Sequence, residues 1–543
     1  MPSTNNGIEK SARRTAGIIH ELGEITIPGH SSSSRNEHTS GQYAHIIREL
    51  PSPRHMDILV QSFFQNVAWH YDIVDEATFT NQLFHWRCLT HQQLQCAPDS
   101  LPTNLRSFPA LLFQVLAQAL LFQPRDHDET LDELKYAANM ELSDRAADYS
   151  DAGHRLVSSF VKSEITLTTV QAELMRACFE KTTGAVTEAW HTLGTAIRDA
   201  QELGLHRLKP EPTLYLRNES PERDQGCKLW MMLHFWDAHM AIVLGRPTST
   251  RMDPKTVPLP ALCDSNRPPQ PRDVILCGYH TAHKFLQDIH DLESMDDCSL
   301  VVQEIHEDLL NNIATLPRWA SPQRLRQGEP HWLSMALEVM FSEIHFVLFA
   351  LHRPFVFVDS TNRTNAVYAA TQILESQRRL FDLSEPLQYR AFTFVFSTFD
   401  AMVLIAAVHI RFPDEFVEQL PATIANFEEV LTRFEILQAS NKLAGPAFKV
   451  LQRLYGKMLV ITTPPQSSQP SSGSEEGDIF SGMGPETIDI DWNDMMPPDF
   501  ANVLCPQPLN ELMWNGESTT HLALQPEPVF GVDQSQFGLQ DSF

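Results

Sequence analysis

The carboxylates Asp128, Glu129 and Asp132 stand at the spacing of an Asp-rich magnesium motif. Acids so spaced on one helix face can share divalent cations bound to a diphosphate. That chemistry defines one function class, a helical metal-dependent enzyme. Acid runs are also common at solvated helix starts, where they favour the N-terminal dipole. The second ligand set such an enzyme needs is not visible, so the run reads as a solvated start. His280, His283 and His290 fall on one predicted helical face and could bind a metal. The chain holds 23 histidines, and no carboxylate or cysteine is placed to complete that site, so the spacing reads as chance. The cysteines Cys88, Cys96, Cys178, Cys227, Cys263, Cys277, Cys298 and Cys505 are scattered and form no C-x-x-C, as expected of reduced thiols in a nuclear or cytosolic protein. No nucleophile elbow, phosphate-cradling glycine loop, dinucleotide fingerprint or H-E-x-x-H is present. No catalytic residue is assigned.

The elements that position these residues read as helices throughout. Strand-helix alternation of the nucleotide-binding kind is absent. Residues 59–79 predict a helix, an aromatic turn and a Phe-led helix, with Leu59, Phe63, Phe64 and Val67 facing a core. Residues 107–122 form a dense apolar run, and residues 156–180 read as continuous helix. In residues 185–207, Trp190, Leu193, Ile197, Ala200 and Leu203 recur at helical spacing, and Gly204 follows as a stop. Residues 229–244 are apolar almost all round, which predicts a buried helix ending at Gly245 and Pro247. Further helices are expected at 274–292, 300–314, 331–354, 367–380 and 391–410, with one or two more in 427–459. Residues 391–410 are long enough to span a bilayer. Asp400 at their centre costs about 2.5 to 3.5 kcal/mol on an insertion scale, so a buried core helix is the better reading. Repeated helix pairs without a strict sequence period suggest an all-α superhelical or bundle body.

Two of these helices carry a resemblance. Trp190, Leu193, Gly194, Ala196, Ile197, Arg198, Ala200, Leu203, Gly204, Leu205, His206 and Arg207 are similar to one helix of the fungal-specific transcription factor domain, the middle homology region of zinc-cluster regulators. Lys228, Trp230, Asp237, Gly245, Arg246 and Pro247 resemble its next helix. Cys227 and Met231 stand where that family usually has Arg and Trp. Leu351, Arg353 and Pro354 resemble a later helix end. The resemblance implies an all-α regulatory body over residues 56–462 that performs no chemistry. It also implies a nuclear regulator of a metabolic gene set, including secondary-metabolite genes, with a small-molecule pocket near Trp190, Trp230 and Trp236.

Family members usually carry an N-terminal cluster of six cysteines and two zinc ions that places a helix at DNA. The first cysteine here is Cys88. Zinc is therefore a cofactor only where such a cluster precedes this sequence, and this chain itself is expected to hold none. Residues 49–56 resemble the linker that joins the two modules. DNA contact is expected only indirectly, through a DNA-binding partner protein or through residues outside this sequence. Lys+Arg 41 against Asp+Glu 68 leaves a net charge of −27, which argues against a direct grip on phosphates.

The two ends are compositionally different from the body. Residues 1–55 are polar and read as a disordered linker, with Lys10, Arg13 and Arg14 as a thin basic cluster. Residues 463–543 read as a disordered acidic, Pro-rich tail. Within it, acids alternate with Phe480, Ile488, Ile490, Trp492, Met495, Met496 and Phe500. Such acids keep bulky side chains available to dock on a partner, so this segment is expected to engage the transcription machinery or a coactivator. Leu509, Leu512, Met513 and Trp514 form a second anchor set. No membrane association is expected, and homodimer formation is left open. A third class, an interaction protein that represses by competing with full-length relatives, also fits the composition.

Overall fold

The computed structural model describes residues 41–96, 101–123, 127–208, 221–251, 257, 268–292, 299–322 and 328–462. The expectations for residues 1–40 and 463–543, including the anchors from Phe480 to Phe500, lie outside the described residues. Among the described residues every regular element is helical. The first half comprises α1 Pro53–Asn66, α2 Glu76–Arg87, α3 His91–Cys96, α4 Thr103–Leu121, α5 Leu142–Ser159, α6 Leu167–Thr183, α7 Val186–Glu202 and α8 Pro221–Leu244. The second comprises α9 Pro271–Leu292, α10 Ser299–Ala314, α11 His331–His352, α12 Ser360–Leu383, α13 Phe392–Arg411, α14 Leu420–Leu437 and α15 Ala444–Thr462.

Helix starts follow from short polar side chains that accept the free N–H groups of the first turn. Asp75 accepts from Thr78 N at 2.8 Å to open α2, and Asp359 accepts from Asn362 N at 2.6 Å to open α12. Thr166 and Thr169 cap α6 reciprocally. That cap corrects the reading of 156–180 as one helix: the chain leaves α5 at Phe160 in an extended conformation and re-enters helix at Leu167. Gly204 (φ +77°) and Gly245 (φ +59°) take the left-handed conformation expected of helix stops.

Helices adjacent in sequence pack against each other along most of the chain: α4 on α5, α6 on α7, α7 on α8, α8 on α9, α11 on α12 and α12 on α13. α4 is the innermost helix of the first half, buried continuously from Arg106 to Leu121. It also packs on α1 and α6. Its two glutamines show how a buried polar group is satisfied. Gln114 donates to the Ser150 carbonyl of α5 at 2.8 Å, and Gln118 donates to the Met175 carbonyl of α6 at 3.2 Å. Arg176 closes the set by donating to Ser150 Oγ at 2.9 Å.

The body begins earlier than residue 56. Residues 41–47 are helical, and Tyr43, Ile46 and Ile47 are buried. Tyr43 donates from its hydroxyl to the Arg106 carbonyl at 3.2 Å, which fixes this segment on α4. Its apolar residues lie at i, i+3 and i+4, one face of a helix. The run is too short to stand out within a polar stretch.

α11 and α13 are the longest apolar stretches, and both are long and apolar enough to cross a membrane. They are buried instead: 78% of the α11 window and 83% of the α13 window lie inside the body. Asp400, at the centre of α13, accepts from Arg353 Nη1 at 2.9 Å. Arg353 follows α11, so this largely buried pair, each side chain 15% exposed, joins the two helices.

Candidate functional site

The motif residues form a corner between α7 and α8. The Arg246 guanidinium lies over the Trp190 ring, 4.4 Å from its centroid, and the His206 and Trp230 rings are 5.8 Å apart. Asp237 is buried at 2% exposure. Its Oδ2 accepts from Ser249 N, Thr250 N and Thr250 Oγ1, each at 2.7 Å. Since Thr250 gives its proton to Asp237, the His234 Nδ1 at 2.9 Å must carry the proton it donates to Thr250 Oγ1. Arg198 Nη1 donates to the Gly194 carbonyl at 3.2 Å. Arg207 lies in the short 3-10 turn Leu205–Arg207, and Pro247 is exposed past the helix end. The corner ties the end of α8 back onto α7.

A cavity of about 150 Å³ lies beyond this corner. Of the three tryptophans expected near a pocket, only Trp236 lines it; Trp190 and Trp230 are engaged by Arg246 and His206. The reason is helical rotation. Trp230 and Trp236 are six residues apart on α8, which at 100° per residue places them on different faces. The other walls come from distant segments. Trp69, His70 and Tyr71 enter from the turn after α1, and Tyr279 from α9. Phe392, Phe394 and Phe396 enter from the first turns of α13.

Two glutamines place the turn. Gln171 of α6 and Gln225 of α8 both donate to the Ile73 carbonyl, at 2.8 and 3.0 Å. Asp72 has φ +46°, an uncommon value for a residue other than glycine. It is held there facing Lys228 Nζ at 3.4 Å. The turn is thus pinned by two helices, and Trp69 to Tyr71 project against α9 and α11.

Besides His70, Tyr71 and Tyr279, three further titratable side chains line the cavity: Lys181 of α6, His239 of α8 and Glu343 of α11. Lys181 is 8% exposed. Its Nζ lies 4.6 Å from the Trp236 ring centroid and 4.7 Å from that of Phe392. Among the described residues it has no hydrogen-bond partner. Burial pulls its ammonium below the ordinary lysine range, while Glu343 works the other way. Burial disfavours the Glu343 carboxylate, but His239 and Lys181 outweigh it and hold the carboxyl below its ordinary value. Burial and Lys181 lower His239, and its Nδ1 stands 3.3 Å from Glu343 Oε2. Glu343 keeps 26% of its side chain exposed, and it lines the cavity. The charged form of Glu343 is therefore satisfied from one side by His239.

None of these three residues was singled out in the sequence. Glu338 and Glu343 interrupt the very apolar α11, and that interruption was the visible signal. A charge in a buried helix must be paired. Glu338 pairs with Arg379 Nε at 2.9 Å, leaving Glu343 for His239.

The acid run has a different environment. Asp128 caps the 3-10 turn Glu129–Leu134, accepting from Thr130 N at 2.9 Å and Thr130 Oγ1 at 2.7 Å. Asp132 pairs with Lys135 at 2.6 Å and His127 at 3.0 Å. The carboxylates sit on a tight exposed turn, not on the helix face that a shared-cation motif needs. The His280 and His283 rings are 6.3 Å apart with planes at 88°, and His283 stacks on Tyr279. Among the described residues no group of three or more His, Cys, Asp or Glu is arranged to hold a metal.

The fold and the cavity define a class: an all-α body with a ring-walled cavity. Comparison with known proteins shows what it is similar to. Residues 60–316 match the family model described as the fungal specific transcription factor domain. The motif residues from Trp190 to Pro247 fall inside it. Over 208 residues the chain is 24% identical to Transcription factor xilB of Penicillium rubens, covering 37% of this chain and 29% of that protein. Over 166 residues it is 27% identical to Probable transcription factor sol4 of Alternaria solani, covering 30% of this chain and 28% of that protein. The chain therefore spans under a third of the length of these relatives.

Proposed function

We propose that this chain is a nuclear transcription regulator without catalytic activity. In this reading the helical body governs an acidic activating tail and controls a metabolic gene set, secondary-metabolite genes included. The observation that carries the reading is the domain match over residues 60–316, supported by two relatives named as transcription factors. The body would extend through residue 462 and the tail would comprise residues 463–543. Phe480, Trp492, Met495 and Met496 are the anchors assigned to coactivator contact. The net charge of −27 makes direct phosphate binding by this chain unfavourable, so DNA contact falls to a partner or to a separate module.

The test is to fuse the chain to a heterologous DNA-binding module and read a reporter gene. Activation is expected, with most of it lost on deleting residues 475–543. A fusion that leaves the reporter silent would refute activation and favour the competing-repressor role.

A further inference from the structure

We propose that the cavity is a binding site for a small single-ring aromatic carboxylic acid, with the ring held among the aromatic walls and the carboxylate on Lys181 Nζ. The inference goes beyond transcriptional regulation and stands or falls separately from it. Three observations carry it.

The first is the cation. Lys181 is more than nine-tenths buried and lines the cavity, with its Nζ between the Trp236 and Phe392 rings. Ring faces compensate part of the lost hydration of an ammonium. That does not replace the strong hydrogen bonds the group gives up on leaving water. Among the described residues no acceptor makes them. An anionic oxygen from a ligand is the complement that this group lacks.

The second is the wall. Trp69, Tyr71, Trp236, Tyr279 and Phe392 come from four separate regions and present rings to one space. Rings prefer offset or edge-to-face neighbours, an arrangement that a flat aromatic ligand completes better than a flexible chain. The third is size. A space near 150 Å³ is what a benzene-sized ligand fills.

Glu343 sets the polarity question, because its carboxylate would repel an acid and attract an amine. His239 Nδ1 already stands 3.3 Å from it, whereas Lys181 has no such partner. The unmet demand in the cavity is therefore for an acceptor.

The full chain would be titrated by calorimetry with benzoate, toluene and benzylamine. Benzoate is expected to bind at one site at least tenfold tighter than toluene, with benzylamine weakest. Lys181→Met keeps the length and removes the charge. It should weaken benzoate at least tenfold and leave toluene within about threefold, and the retained toluene binding reports an intact cavity. Glu343→Gln is a second variant and should tighten benzoate. The proposal is overturned if benzoate binds no better than toluene or if benzylamine binds best. Unchanged benzoate affinity in Lys181→Met, or weakened affinity in Glu343→Gln, would also overturn it.

Discussion

Asp237 shows what one side chain does for this body. Its single oxygen takes three donors from residues 249 and 250, so the carboxylate replaces water for a whole loop start. Removing it strands two backbone N–H groups and a hydroxyl. Asp237→Ala should destabilise the protein by about 3 kcal/mol, the scale for buried donors to a charged acceptor left unmade. Denaturant unfolding would measure it, and a loss below about 1 kcal/mol would contradict this role. Asp237 was legible as a motif position, because its neighbourhood in sequence is also its neighbourhood in space. Lys181, His239 and Glu343 were not, although each lies in a helix that was foreseen. They come from three helices, and local patterning carries no information on which helix faces which.

Helices were readable where the apolar period was long. α11 and α13 follow the residues expected of them, α8 begins at Pro221, ahead of the apolar run at 229–244, and the fused reading of 156–180 failed between Phe160 and the Thr166 cap. Pairing between helices was less readable, and Asp400 is the clearest case. In sequence it looked like a cost within an apolar run. In the fold, burial holds its carboxyl above the ordinary range while Arg353, at 2.9 Å, opposes the shift. Removing one partner leaves the other buried and unpaired. Arg353→Met should therefore cost about 3 to 5 kcal/mol, whereas an apolar replacement of both partners is often neutral. Adding Asp400→Leu to Arg353→Met should then recover most of the loss in thermal melts. A double variant as unstable as the single would show that the helices depend on charge and not on packing.

At the scale of the whole molecule, three buried histidines couple stability to acidity. Burial lowers His70, His234 and His352 from 6.5 to about 4 each. His283 adds to the effect at His234, and His306 adds to it at His352. Below pH 6.5 the unfolded chain takes up protons that the folded chain refuses. Their contribution is complete above 6.5 and is lost progressively as the pH falls towards 4. His154, raised by its hydrogen bond to Glu173, works in the opposite direction. Asp72 and Asp400, which burial raises, act with His154, whereas His239, His345 and His409, which burial lowers, add to the three. The urea midpoint should drop between pH 7.5 and pH 5, and His234→Gln should flatten the drop. Equal midpoints at both pH values would rule this out.

The cavity straddles an internal frontier of the chain. Trp69, Lys181, Trp236 and Tyr279 fall within residues 60–316, whereas Glu343 and Phe392 fall after them. A fragment trimmed to the matched stretch would carry half a chamber, with its rings bared as a sticky trough. Chimeras spliced at residue 316 would inherit one wall from each parent, so a chimera that keeps the cavity whole has to carry residues 41–462 as one piece.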